Sequence, residues 1–111
     1  MQTIELPGGL MHYFPAFLPK AEADDLFNYL RSIKWTQQIG MFGRPMPRLI
    51  AWYADKGIDY HYSGAHHIGE GWDSRLFALK EEIEETATTS LNAALLNYYR
   101  GPRFGWLACR R

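Results

Sequence analysis

Residues 91–99 read LNAALLNYY, a nearly unbroken apolar run and the last patterned segment of a 111-residue chain. A run of this kind reads as a strand buried on both faces. Such a strand needs partners, yet the remaining residues, GPRFGWLACRR, form a short basic tail with a lone cysteine. The partners must come from upstream. Two segments qualify: a strand from about Arg48 to Tyr53, and a second short one in IDYHYSG, residues 58–64, with Asp55-Lys56-Gly57 as the turn between them.

Helical spacing marks two further segments. From Ala21, the residues Ala23, Leu26, Phe27, Leu30 and Ile33 recur on one face, with Glu22, Asp24 and Asp25 near the start and Lys34 closing the end. A second helix runs from about Asp73 to Thr86, capped by Asp73 or Ser74. Its apolar face is Leu76, Leu79 and Ile83, and Lys80, Glu81, Glu82, Glu84 and Glu85 are expected to cover its wet face. LMHYFPAFLP, broken by Pro15 and Pro19, reads as an extended entry segment, and AHHIGEG as a loop. The order is helix, strands, helix, strand. This is an α+β arrangement with an incomplete sheet.

Lys plus Arg and Asp plus Glu both total 12, so any nucleic-acid or membrane partner must be met by a local patch. No apolar run approaches the roughly 20 residues of a membrane helix, and MQTIELPGG has no signal-peptide blocks. The single Cys109 fits a reducing compartment. A soluble cytoplasmic protein is expected.

One local patch stands out. Gly40 and Gly43 bracket Met41 and Phe42, with Pro45 and Pro47 following, which predicts a hairpin or tight loop with an apolar tip. A phenylalanine there is poorly placed for a core and well placed as a wedge into a base stack; the alternative is a turn with a half-exposed Phe. Met41 would support the wedge, while Arg44, Arg48 and Lys34 could contact phosphates. Tyr60 and Tyr62 alternate with His61 and so share a strand face. Asn97 and Tyr99 do likewise, and could equally be a satisfied buried amide and a core tyrosine. His66, His67 and Glu70, or Asp59 and His61, look like metal ligands only superficially, because adjacent strand residues point opposite ways. His12 reads as structural.

Three stretches, in order, resemble the AlkB-type dioxygenases. PRLIAWYADKGIDYHYSG, residues 47–64, is similar to the family's PR…YGD.G..Y.YSG. LNAALLNYYR, residues 91–100, is similar to its FN..L.N.Y, and MFG at 41–43 matches a loop tip of the DNA-repair branch. The resemblance runs from about residue 10 to 100. It implies the N-terminal portion of a double-stranded β-helix, or jelly roll, with supporting helices. It also implies an oxidoreductase that uses Fe(II) and 2-oxoglutarate to hydroxylate N-linked alkyl groups on nucleobases, releasing formaldehyde, in repair of DNA alkylation damage. Alkylated DNA is the implied partner, with RNA as the other candidate. The resemblance puts Asn97 and Tyr99 on the 2-oxoglutarate carboxylates and Tyr62 in a base-stacking role, with Tyr60 beside it as a neighbour of cofactor or substrate or as half of a cross-strand aromatic pair. Ser63 and Gly64 follow the motif.

The family's iron ligands come as H-x-D soon after N.Y, then a late histidine. This chain has no His after residue 67 and no Asp after residue 73, so neither iron ligands nor catalytic residues are expected in it. Residues 103–111 can be encoded as CGA TTC GGT TGG CTG GCA TGC CGA CGA, followed by a TGA stop. Read from the second base, the same string gives Asp-Ser-Val-Gly-Trp-His-Ala-Asp-Asp, which is similar to the family's DS.GWH.DDE. The expectation is a partial dioxygenase domain over 1–103 and a frameshifted tail over 104–111, with no activity as written. The alternative is a non-catalytic nucleic-acid-binding fragment. The intact family is expected to be monomeric; a fragment of a jelly roll exposes strand edges and aggregates readily.

Overall fold

The computed structural model describes residues 1–62 and 65–100, without the side chains of Met41, Tyr62 and Ala65. The tail over 104–111, Cys109, Ser63 and Gly64 therefore lie outside the described residues. The architecture is α+β with small antiparallel sheets, in two compact units, Met1–Ile33 and Lys34–Arg111.

The first unit begins with a hairpin, β1 (Gln2–Leu6) and β2 (Gly9–Tyr13), in place of the plain entry segment expected. Pro7 presets one turn residue and Gly8, at φ +82°, supplies the other. Every residue of both strands is exposed, so no inside–outside alternation marked them in the sequence. Helix α1 (Lys20–Ser32) follows Pro19. Its predicted stripe holds, with Ala23, Leu26 and Leu30 half-buried, except that Phe27 is 62% exposed with the Arg31 guanidinium 5.9 Å from its ring centre. Arg31, not Lys34, is the basic residue of the last turn; Lys34 lies beyond the Ile33 cap.

In the second unit, β3 (Thr36–Ile39) turns through Met41–Gly43 into β4 (Pro45–Ala54). Strand β4 is central in the order β3-β4-β7, where β7 is Ala93–Tyr98. The prolines do not delay β4 to Arg48 as expected. The register shifts between Gln37, paired with Leu49, and Ile39, paired with Pro45. This bulge absorbs the stretch that contains Pro47, where regular pairing would have required an N–H. Gln37 stabilises it by donating from Nε2 to the Met46 carbonyl at 2.9 Å.

Strands β5 (Asp59–Tyr62) and β6 (Ala65–Ile68) form a separate hairpin. AHHIGEG is thus half strand, not loop. The backbone ladder from Tyr62↔Ala65 to Asp59↔Ile68 overrides its weak β pattern. The return to β4 needs two glycines. Gly71, at φ +98°, donates its N–H to the Ala54 carbonyl at 2.7 Å. A Cβ on Gly69 would collide with the Asp55 and Ile58 carbonyls.

Helix α2 (Ser74–Ala87) is capped as predicted, the Asp73 carboxylate accepting from the Leu76 N–H at 2.7 Å. The expected wet face is only partly wet. Lys80 and Glu84 side chains are 12% and 19% exposed and paired at 2.8 Å; Lys80 also lies 5.2 Å and 5.8 Å from the Phe77 and Trp72 ring centres. The other Glu84 oxygen accepts from the Leu91 N–H, holding α2 to the start of the β7 segment. Among the described residues the buried apolar core is small: Ile50, Ala51, Ala54 and Leu76.

Candidate nucleic-acid and cosubstrate face

Alternation along β4 sorts its side chains into two sets. Leu49, Ala51 and Tyr53 take the face where Tyr98 meets Trp35 edge-on at 5.3 Å and Tyr53 stacks on Trp72 at 6.5 Å. Burial first, and the Asp73 charge second, push the Tyr53 phenol pKa up. Arg48, Ile50 and Trp52 take the opposite face. The register sets Ile50 against Asn97 and Thr36, and Trp52 against Leu95.

This second face collects most of the residues singled out in the sequence. Arg48 is half-buried and donates from Nε to Asn97 Oδ1 at 2.7 Å. It is therefore drawn onto the sheet beside the residue expected on 2-oxoglutarate, and away from the hairpin tip. Arg44 stays exposed next to Phe42, four residues and about 13 Å along the strand from Arg48 at its usual rise. Tyr99 lies one residue past the end of β7 and is 49% exposed, so it is not the core residue of the bland alternative. Asn97 is exposed as well.

Farther along the face, Tyr60 stacks on Trp52 with ring centres 5.5 Å apart and planes 17° from parallel. His67, the cross-strand partner of Tyr60, meets the same indole at 5.5 Å. The Tyr62 side chain lies outside the described residues. An open cleft of about 460 Å³ runs beside this cluster, lined by Lys34, Thr36, Trp52, His67, Ile68 and Glu70 among others. Two buried polar atoms at it, Trp52 Nε1 and His67 Nε2, have no hydrogen-bond partner among the described residues. Each such atom costs roughly 1–3 kcal/mol, a feature that marks sites awaiting a polar group. Sequence reading missed Trp52 and His67. The available signal was the i, i+8 spacing of Trp52 and Tyr60 across a turn, which only the register converts into contact.

The histidines divide as alternation requires. His66 faces outward, its ring parallel to His61 at 4.0 Å and its Nε2 3.3 Å from Asp59, while His67 turns to Trp52. No group of three His, Cys, Asp or Glu among the described residues is arranged to hold a metal ion. His12 lies in the first unit, its Nδ1 3.2 Å from the Thr3 hydroxyl.

Phe42 occupies the tip as expected and is 92% exposed. Its backbone is left-handed, φ 62° and ψ 23°, followed by Gly43 at φ +69°. Gly40 closes the loop, its N–H donating to the Arg44 carbonyl at 2.7 Å. A Cβ at Gly40 would meet the Met46 sulfur at 2.8 Å.

No family model matches the chain. One curated protein, alpha-ketoglutarate-dependent dioxygenase alkB homolog 3 of Mus musculus, is 34% identical over 92 residues; the match covers 78% of this chain. The chain spans about a third of that relative's length, 32%. The likeness supports a relationship of this chain to AlkB-like dioxygenases.

Proposed function

We propose that this chain forms the nucleic-acid-contacting and cosubstrate-facing portion of an AlkB-type dealkylase acting on alkylated nucleobases, built on part of a jelly roll. The 34% identity over 92 residues carries the reading. Phe42, presented at the hairpin tip, enters the base stack, and Arg44 beside it takes a neighbouring phosphate. Tyr60 and Trp52, with Tyr62 as a further stacking residue, meet an extruded base, a contact worth roughly 1–3 kcal/mol per aromatic. Asn97 and Tyr99 bind 2-oxoglutarate.

The donor chemistry on the β4–β7 face suits a dicarboxylate: a guanidinium, an amide N–H₂ and a phenol lie on or next to one exposed strand end. For iron the described residues offer no ligand group, so no step is routed through the metal. In the family, Fe(II) with 2-oxoglutarate supplies the oxidation of the N-linked carbon. The roles assigned to this chain's residues are binding and positioning.

Nucleic-acid binding without catalysis is the second reading. It is favoured by the fact that Phe42 and Arg44 need no metal to act. Fluorescence anisotropy with duplexes carrying one N-methylated base, against unmodified duplex and RNA and over a salt series, tests both. Preference for the methylated duplex, together with binding of 2-oxoglutarate, supports the dealkylase reading. Salt-sensitive binding with no methyl preference and no 2-oxoglutarate response supports the second. Absence of nucleic-acid binding sinks both.

A further inference from the structure

An asparagine amide is ambiguous: one end accepts hydrogen bonds and the other donates. At Asn97 that ambiguity is removed. Arg48 Nε donates to Oδ1 at 2.7 Å, a charge-assisted bond that only the oxygen end can accept. The Nδ2 end is then committed to face away from the guanidinium as a donor. The two Arg48 Nη groups have no partner among the described residues. Arg48 comes from β4 and Asn97 from β7, and the register that places Asn97 opposite Ile50 makes them diagonal neighbours on one face. The result is a donor-only edge at the open end of the sheet, with the Tyr99 hydroxyl one residue beyond.

We propose that Arg48 is a positioning residue of a carboxylate site, fixing the Asn97 amide so that Nδ2, an Arg48 Nη and the Tyr99 hydroxyl address one anionic oxygen pair of a dicarboxylate. The inference rests on Asn97 and Tyr99 being 2-oxoglutarate contacts, and it removes Arg48 from the phosphate-contacting set. Arg48→Lys keeps the charge but not the Nε–H geometry. Asn97→Asp satisfies Arg48 but presents an acceptor where a donor is needed.

The test is a titration of the purified 111-residue chain with 2-oxoglutarate and, separately, inorganic phosphate, followed by the Asn97 side-chain amide and Tyr99 ring resonances. Backbone signals of Ile50 and Ala51 serve as the fold control. Arg48→Lys, Arg48→Ala and Asn97→Asp are each expected to weaken 2-oxoglutarate binding at least tenfold, with the Asn97 amide resonances of the Arg48 variants already shifted before ligand is added. Millimolar methylguanidine is expected to restore affinity to Arg48→Ala. If the Arg48 variants bind as the parent does while Asn97→Ala and Tyr99→Phe do not, the positioning role is wrong and the cosubstrate reading survives. If Asn97→Ala and Tyr99→Phe are without effect, the cosubstrate reading itself fails, and this inference with it. Phosphate bound more tightly than 2-oxoglutarate with the same Arg48 dependence, or no binding of either anion, also overturns the proposal.

Discussion

Phe42 and Trp52 are both large aromatics near β4, yet they make opposite predictions. Phe42 touches little in its own fold at 92% exposure, so Phe42→Ala should leave the urea midpoint unchanged while weakening duplex binding about tenfold, in the range of one lost stacking contact. Anisotropy and urea melts on the same preparation check this. Trp52 is stacked on Tyr60 and His67, so Trp52→Ala should lower stability by about 3 kcal/mol, the usual cost of deleting a packed aromatic, and lose base contact as well. Phe42 was legible because its signal is local: two glycines and an apolar residue between them. Trp52 was not, because its contacts come from a hairpin whose second strand looked like a loop. Arg48 was legible as a cation, but its destination depended on which residue of β7 lies diagonal to it.

At the level of elements, caps and turns were readable and pairings were not. Asp73 as the α2 cap follows from a carboxylate just before an apolar-periodic run, and Asp73→Ala should cost about 1 kcal/mol in chemical denaturation. Gly69 had no such mark; only the crossing with the Asp55 and Ile58 carbonyls shows why a side chain is excluded. The charge run of α2 misled for a related reason. A helical wheel places Lys80 and Glu84 among solvated neighbours, but Trp72 and Leu91 arrive from outside the helix to cover them. The hydrogen bond from Lys80, followed by that from the Leu91 N–H, holds the Glu84 carboxyl below the usual glutamate range. A lowered folded-state pKa adds stability that is complete above the unfolded value and drains away as pH falls through the folded one. Glu84→Gln should therefore flatten the acid limb of the stability–pH curve, read from urea midpoints measured downward from neutral pH.

For the whole molecule, a buried apolar set of four residues in the described chain, two of them alanines, implies a shallow, weakly cooperative thermal transition. Strands β3 and β7 each pair only with β4 among the described residues, which adds concentration-dependent association through free edges. A sharp melt of monomeric protein, independent of concentration, would contradict this. The overall α+β class was legible from periodicity, but the separation into three small sheets was not, since register and sheet membership are non-local.

The left-handed turn at position 42 has a consequence for how this protein could be improved. A β-carbon in that conformation costs on the order of 1–2 kcal/mol, and the ring above it gains almost no shelter in return. Glycine would relax the loop, so a screen for thermal robustness alone should enrich Phe42→Gly and discard the grip on the ligand. A fold that keeps its least comfortable residue at its most outlying point shows there a compromise between durability and contact, which ligand-blind optimisation would erase.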